Sequence, residues 1–111
     1  HKYFNNFRII ACADINYKAA LRCAKNYKIN SKKINEILKD KEIEVILNLT
    51  TPQAHYSVAK KILKSGKHVY SEKPLSTFFN KGKELIKLAN KKKLYIGNIC
   101  SRSVTFCQQP P

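Results

Sequence analysis

Glycine is scarce in this 111-residue sequence: Gly66, Gly82 and Gly97 are the whole supply. No Gly-x-Gly-x-x-Gly run can be assembled from them, so the chain carries no glycine-rich loop of the kind that cradles a pyrophosphate at a helix start. The 4 cysteines, Cys12, Cys23, Cys100 and Cys107, never stand as Cys-x-x-Cys, which argues against a zinc site; no metal is expected. Cys12 in an expected strand and Cys23 in an expected helix read as small packing residues, and a disulfide framework is improbable. No apolar run is long enough to span a bilayer and the N-terminus lacks a charged-then-apolar leader, so a soluble, cytoplasmic chain without membrane partners is expected. Acidic residues are few, 7 against 22 Lys+Arg, for a net charge of +15. Such a charge suits a nucleic-acid or acidic-membrane binder. Arginine, the preferred bidentate reader of bases and phosphates, is limited to Arg8, Arg22 and Arg102, which argues against specific nucleic-acid recognition. Lys60, Lys61, Lys64, Lys83, Lys87, Lys91 and Lys92 fall where helix exteriors are expected, and solvated faces account for them.

What the chain does have is alternation. Arg8 to Ala13 predicts a strand ended by Asp14. Asn16 caps a helix over Tyr17 to Tyr27 with Ala20, Leu21 and Ala24 inward. Ile29 marks a very short strand, and Ser31 caps a short helix through Leu38 with Ile34, Ile37 and Leu38 inward. Asp40-Lys41 is a turn. After Pro74, Ser76 or Thr77 caps a helix to about Lys92, with Leu85, Leu88 and Ala89 inward. Leu94-Tyr95-Ile96 is a last strand closed by Gly97. Strands alternating with helices imply an α/β class with a parallel sheet.

The stretch from Glu44 to Leu75 organises the rest. Val45-Ile46-Leu47 is short, apolar and β-branched, the signature of a buried strand. Pro52 has the fixed φ of a first helical turn. Ala54, Val58, Ala59, Ile62 and Leu63 recur at helical spacing, and Gly66 stands where a helix stops. Lys67 to Tyr70 restarts a strand that Ser71-Glu72-Lys73-Pro74 ends. A strand–helix–strand crossover makes its strands parallel, so Asn48–His55 and Ser71–Pro74 share the carboxyl edge of the sheet. Open α/β sheets bind ligands at that edge.

The residues N-L-T-T-P-x-x-H followed by G-K-H-V-Y-x-E-K-P-L resemble the signature of the Gfo/Idh/MocA oxidoreductases, the glucose–fructose oxidoreductase and inositol dehydrogenase family. The spaced pair of motifs is more specific than either piece. The resemblance covers roughly Arg8 to Gly97 and implies an NAD(P)-dependent enzyme passing hydride to or from a sugar- or polyol-type substrate at a CH–OH group. It implies a partial Rossmann-like doubly wound parallel sheet lacking the first strand and the glycine-rich loop. Lys73 becomes the catalytic candidate, contacting cofactor and substrate and assisting proton movement. Asp14, Asn48, Thr50, Thr51, Pro52, His55, Glu72, Lys73 and Pro74 become the candidate cofactor-binding set. Asp14, at a strand end, would accept from the adenosine ribose hydroxyls and repel a 2′-phosphate, favouring NAD while leaving NADP open; a turn or capping Asp is the plainer alternative. The Thr50-Thr51-Pro52 turn suits a polar cofactor edge or simple capping. His55 is assigned to lining the cofactor site and not to acid–base work, although a lone His is more often structural. Pro74 is a candidate cis peptide.

The family's glycine-rich loop follows an earlier strand, expected before His1 and between the Arg8 and Val45 strands, which would leave two unpaired edges. Residues 1–97 are read as an incomplete dinucleotide-binding domain and 98–111 as an atypical tail with no trusted order. Cys100-Ser101-Arg102-Ser103 can be encoded so that a one-base shift yields Ala-Pro-Asp, common in relatives; an out-of-frame tail is therefore hypothesised, and the genomic nucleotides test it. The chain is expected to bind dinucleotide weakly and to turn nothing over, with homo-oligomerisation left to a full-length protein. A non-catalytic remnant or a partner-binding half-Rossmann domain is the alternative.

Overall fold

A computed structural model of the chain describes residues 7–74, 76–100 and 103–106. These fall into two compact units, His1–Ile43 and Glu44–Pro111, each of which builds its own sheet.

The first unit runs β1 (Ala11–Cys12), α1 (Tyr17–Tyr27), β2 (Asn30–Ser31) and α2 (Ile34–Lys39). Asn16 caps α1, its side-chain oxygen accepting from the Lys18 and Ala19 N–H groups. Lys28 ends it in the left-handed region at φ 54, an uncommon conformation for a side chain with a Cβ. β1 is shorter than the Arg8–Ala13 run suggests because only Ala11 and Cys12 find partners, pairing in parallel with Asn30 and Ser31. That pairing also takes Ser31 away from capping: α2 starts after Lys33, whose N–H is held by the Glu36 carboxylate. Ala20, Ala24 and Ile37 are buried. Leu21 and Ile34, expected inward, are exposed; Leu21 is turned about 100° from Ala20 and leaves the narrow stripe the unit covers.

The second unit is built from β3 (Val45–Asn48), α3 (Pro52–Lys64), β4 (His68–Glu72), α4 (Phe79–Lys92), β5 (Ile96–Cys100) and β6 (Ser103–Phe106), in sheet order β3-β4-β5-β6. β3, β4 and β5 are parallel, and β6 returns antiparallel to β5. Pro52 is the first residue of α3, and Gly66, at φ 85, follows its end, as expected for a helix closed by a left-handed glycine. α3 and α4 pack on each other and on the sheet, burying Ala59, Ile62, Leu63, Val69, Leu85, Ala89 and Ile96. With a strand period of two, that face takes Asn48, Val69 and Ser71. Val45 and Leu47 alternate out of it and are exposed.

The last strands correct the sequence expectation. Lys93 ends α4 in the left-handed region at φ 58, and the Lys93 and Leu94 N–H groups bond back to the carbonyls of Asn90 and Ala89. Leu94 is therefore spent on the helix exit, Tyr95 already bonds to β4 through the His68 ring and the Val69 N–H, and the strand ladder begins at Ile96 and runs through Gly97. The tail is not without order either, since Ser103–Phe106 pairs with Cys100–Gly97. Among the described residues β1 pairs only with β2, and β3 only with β4, so one edge of each is unpaired there. No helix among the described residues is long and apolar enough to cross a membrane.

Candidate functional site

β3 and β4 pair in parallel with Val45 opposite His68 and Asn48 opposite Ser71. Their carboxyl ends are therefore adjacent, and the two loops that leave them, 49–51 and 73–74, emerge on one rim.

His55 joins the loops. It lies one turn into α3, is 1% exposed, and reaches in two directions. Its Nε2 is 2.7 Å from the Thr50 carbonyl oxygen and its Nδ1 is 2.5 Å from the Pro74 carbonyl oxygen. A carbonyl oxygen only accepts, so each contact asks the ring for an N–H; a neutral imidazole supplies one and the imidazolium supplies both. The ring is thus committed to backbone on both sides, bracing the Thr-Thr-Pro turn against the Lys-Pro loop. Asn48 completes the brace. It is 1% exposed, its Nδ2 donates to the His55 carbonyl at 3.1 Å, and its Oδ1 accepts from the Thr50 hydroxyl at 2.7 Å. Asn48, Thr50 and His55 spend their polar side-chain atoms on one another and on backbone.

Five candidates on the two loops are exposed: Thr51, Pro52, Glu72, Lys73 and Pro74. Thr51 is exposed at the N-cap of α3 and makes no side-chain capping bond, so its hydroxyl is not used by the helix. Pro52 is exposed beside it. Glu72, the last residue of β4, and Lys73 are exposed on the neighbouring loop. The Lys73–Pro74 peptide is cis. The rim therefore offers a hydroxyl and an ammonium on loops held together from beneath, an arrangement able to donate hydrogen bonds to a ligand's oxygens.

Asp14 lies in the first unit. Its Oδ1 accepts from the Asn16 N–H at 2.8 Å, forming the turn that leads into the α1 cap, and its carboxylate is exposed.

The sequence expectations missed the row that continues Asn48 across the sheet. Asn48 is opposite Ser71, and Ser71 is opposite Asn98 on β5. Ser71 is fully buried, and its Oγ, like Asn98 Oδ1, has no hydrogen-bond partner among the described residues. The available signal was a polar residue two places after Val69, on the inward phase of a strand. The expected lysine placement does hold: Lys61, Lys64, Lys83, Lys87, Lys91 and Lys92 are exposed on helices. Lys60 of α3 pairs with Glu84 of α4 at 2.8 Å. That pairing, with Tyr56 adding to it, raises the Lys60 pKa and lowers the Glu84 carboxyl below its usual range. No group of three or more His, Cys, Asp or Glu side chains suited to a metal occurs among the described residues.

A family model described as an oxidoreductase family with an NAD-binding Rossmann fold matches residues 1–98. An uncharacterised oxidoreductase of Schizosaccharomyces pombe is 39% identical over 64 residues, which is 58% of this chain and 17% of that protein. An inositol 2-dehydrogenase of Salmonella typhimurium is 32% identical over 71 residues, 61% of this chain and 21% of that protein. The crystal structure of a dehydrogenase from Clostridium difficile superposes with a TM-score of 0.78 at 27% identity, covering 85% of this chain and 31% of that one. The chain thus spans less than a third of the length of each of these relatives.

Proposed function

This chain belongs to the oxidoreductase family whose NAD-binding domain is a Rossmann fold, and from that membership we propose that its β3 and β4 loops form the nicotinamide side of a dinucleotide site used for hydride transfer to or from a sugar- or polyol-type substrate. The supporting observation is the shared rim: Asn48 and Ser71 are register partners in parallel strands, and His55 ties the two loops together. The residues on the rim fit the nicotinamide end of such a cofactor. The Thr51 hydroxyl is uncommitted to capping and the Lys73 ammonium is exposed, so both can donate to ribose or carboxamide oxygens.

A bound nicotinamide would supply the hydride chemistry. Lys73 would donate a hydrogen bond to the substrate oxygen and hold or release the proton as that oxygen passes between hydroxyl and carbonyl. Pro52 and Thr51 would form the wall of the pocket on the α3 side. Asn48, Thr50 and His55 act beneath, fixing where Thr51 and Lys73 stand. Asp14 would accept from the adenosine ribose, which favours NAD over NADP because a 2′-phosphate would meet a carboxylate. The sequence contains no Gly-x-Gly-x-x-Gly for the pyrophosphate, so binding by this chain is weak.

Fluorescence titration with NADH tests the reading. The expected result is saturable, weak binding that loosens several-fold in Lys73→Ala. Absence of saturable binding, or binding indifferent to Lys73→Ala, contradicts it.

A further inference from the structure

Outside the rim, chemistry-bearing side chains meet in the first unit, where β1 presents Cys12 to α1. Both Cys12 and Cys23 are free and half-buried. The Cys12 thiol donates to the Ala20 carbonyl at 3.4 Å. Ala20 is three residues before Cys23 on α1, and residues three apart share a helix face. Helical side chains lean toward the helix N-terminus, so the Cys23 thiol lies over the turn that contains Ala20. That turn is where the Cys12 sulfur rests. The Ala20 carbonyl, which accepts from Cys12, thus lies on the helix face that carries Cys23. Neither is sealed off, since both retain partial solvent exposure.

We propose that Cys12 and Cys23 form a reversible redox pair, oxidised to an intramolecular disulfide by low-molecular-weight disulfides such as glutathione disulfide. The chemistry balances as two exchanges. One thiol, as its thiolate, attacks the small disulfide, giving a mixed disulfide and releasing one small thiol. The second, again as a thiolate, attacks the protein sulfur of that mixed disulfide and expels the second small thiol. The chain loses two hydrogens and two electrons, and the oxidant gains both as two small thiols. Burial, with Cys23 and Asp14 alongside, pushes the Cys12 thiol above its usual range. A poorly ionised thiol is a slow nucleophile toward a dilute oxidant, whereas in the intramolecular second step a high effective concentration offsets its low thiolate fraction, which suits Cys12 to that step.

The consequence is local. A Cys12–Cys23 bond fixes α1 to β1 at the strand end from which Asp14 and the Asn16 cap follow, tightening the segment that presents the Asp14 carboxylate. The inference does not depend on dinucleotide binding and is tested without it.

The test is oxidation of the full chain by glutathione disulfide, followed by proteolysis and mass spectrometry. It is run in parallel on the Cys100→Ser/Cys107→Ser variant, which removes the competing thiols. The expected product is a Cys12–Cys23 linked peptide with the loss of two hydrogens, in both chains. Because folding holds the thiols together, the link forms at least about tenfold faster in buffer than in concentrated guanidinium, an effective-concentration effect. Stable glutathione adducts without the link, equal rates with and without denaturant, or preferential pairing with Cys100 or Cys107 would each overturn the proposal.

Discussion

The Nδ1 of His55 lies 2.5 Å from the carbonyl oxygen of Pro74, across a sequence separation of 19. The opposite ring nitrogen holds Thr50. One buried ring therefore fixes the spacing of two rim loops that have no strand pairing beyond Asn48 and Glu72. The brace therefore sets how the Thr51 and Lys73 backbones are spaced.

His55→Phe keeps a planar ring of similar bulk and removes both ring nitrogens. The Thr50 and Pro74 carbonyls, which are only partly buried, lose their partner, which costs about 0.5–1.5 kcal/mol. Urea unfolding should show that loss, and NADH affinity should fall as well if the rim is the binding surface. A variant as stable as the native chain would show that the two contacts contribute nothing.

Asn48→Asp is nearly isosteric but replaces the donor to the His55 carbonyl with an acceptor. The folded state then resists ionisation of the new carboxyl, so its pKa rises on folding. The sign follows: the defect is smallest in acid, where the group is neutral in both states, and grows as pH rises through and above the carboxylate range. Chemical denaturation at several pH values measures it. A defect independent of pH would mean that the side chain is solvated.

Ser71 presents the opposite case. Its Oγ is buried without a partner among the described residues, so Ser71→Ala removes an uncompensated polar group. The expected change in stability is within about 0.5 kcal/mol of zero, or favourable. A loss beyond 1–2 kcal/mol, on the order of a buried hydrogen bond, would reveal a partner for that hydroxyl.

Glu84 has its pKa lowered on folding by Lys60 and then Tyr56. Its contribution is present above the ordinary carboxylate pKa and is lost as pH falls through the lowered folded value. Glu84→Gln should therefore melt slightly below the native chain at neutral pH and converge with it in acid. Molar salt should narrow the neutral gap, because the pair is half-exposed and screened. A gap that persists in acid would assign the effect to packing.

How far these features could be read beforehand follows from where their causes lie. The α3 boundaries were legible because Pro52 and Gly66 act locally, through a fixed φ and a left-handed φ. The parallel pairing of β3 and β4 followed from the crossover alone. The ends of α1 and α4, at Tyr27 and Lys92, stand where the pattern put them; the left-handed exits at Lys28 and Lys93 were not legible, because their residue type disfavours that conformation. The second exit displaced the last strand from Leu94–Ile96 to Ile96–Cys100. Gly97 misled for a related reason: glycine is common at strand ends, yet here it lies inside the ladder, opposite Tyr70 and Phe106. The rim residues Thr51 and Lys73 stand where motif spacing put them. The division of labour beneath them did not show, since nothing local in the sequence says that Asn48 and His55 are turned inward against backbone.

The most direct measurement of the central claim is an amide chemical-shift map during NADH addition to the full chain. If the β3 and β4 loops form one half-site, the N–H signals of Asn48–Thr51 and of Glu72 and Lys73 move together, with one apparent affinity. Shifts confined to one loop, two unrelated affinities, or movement only at residues away from both loops would contradict it.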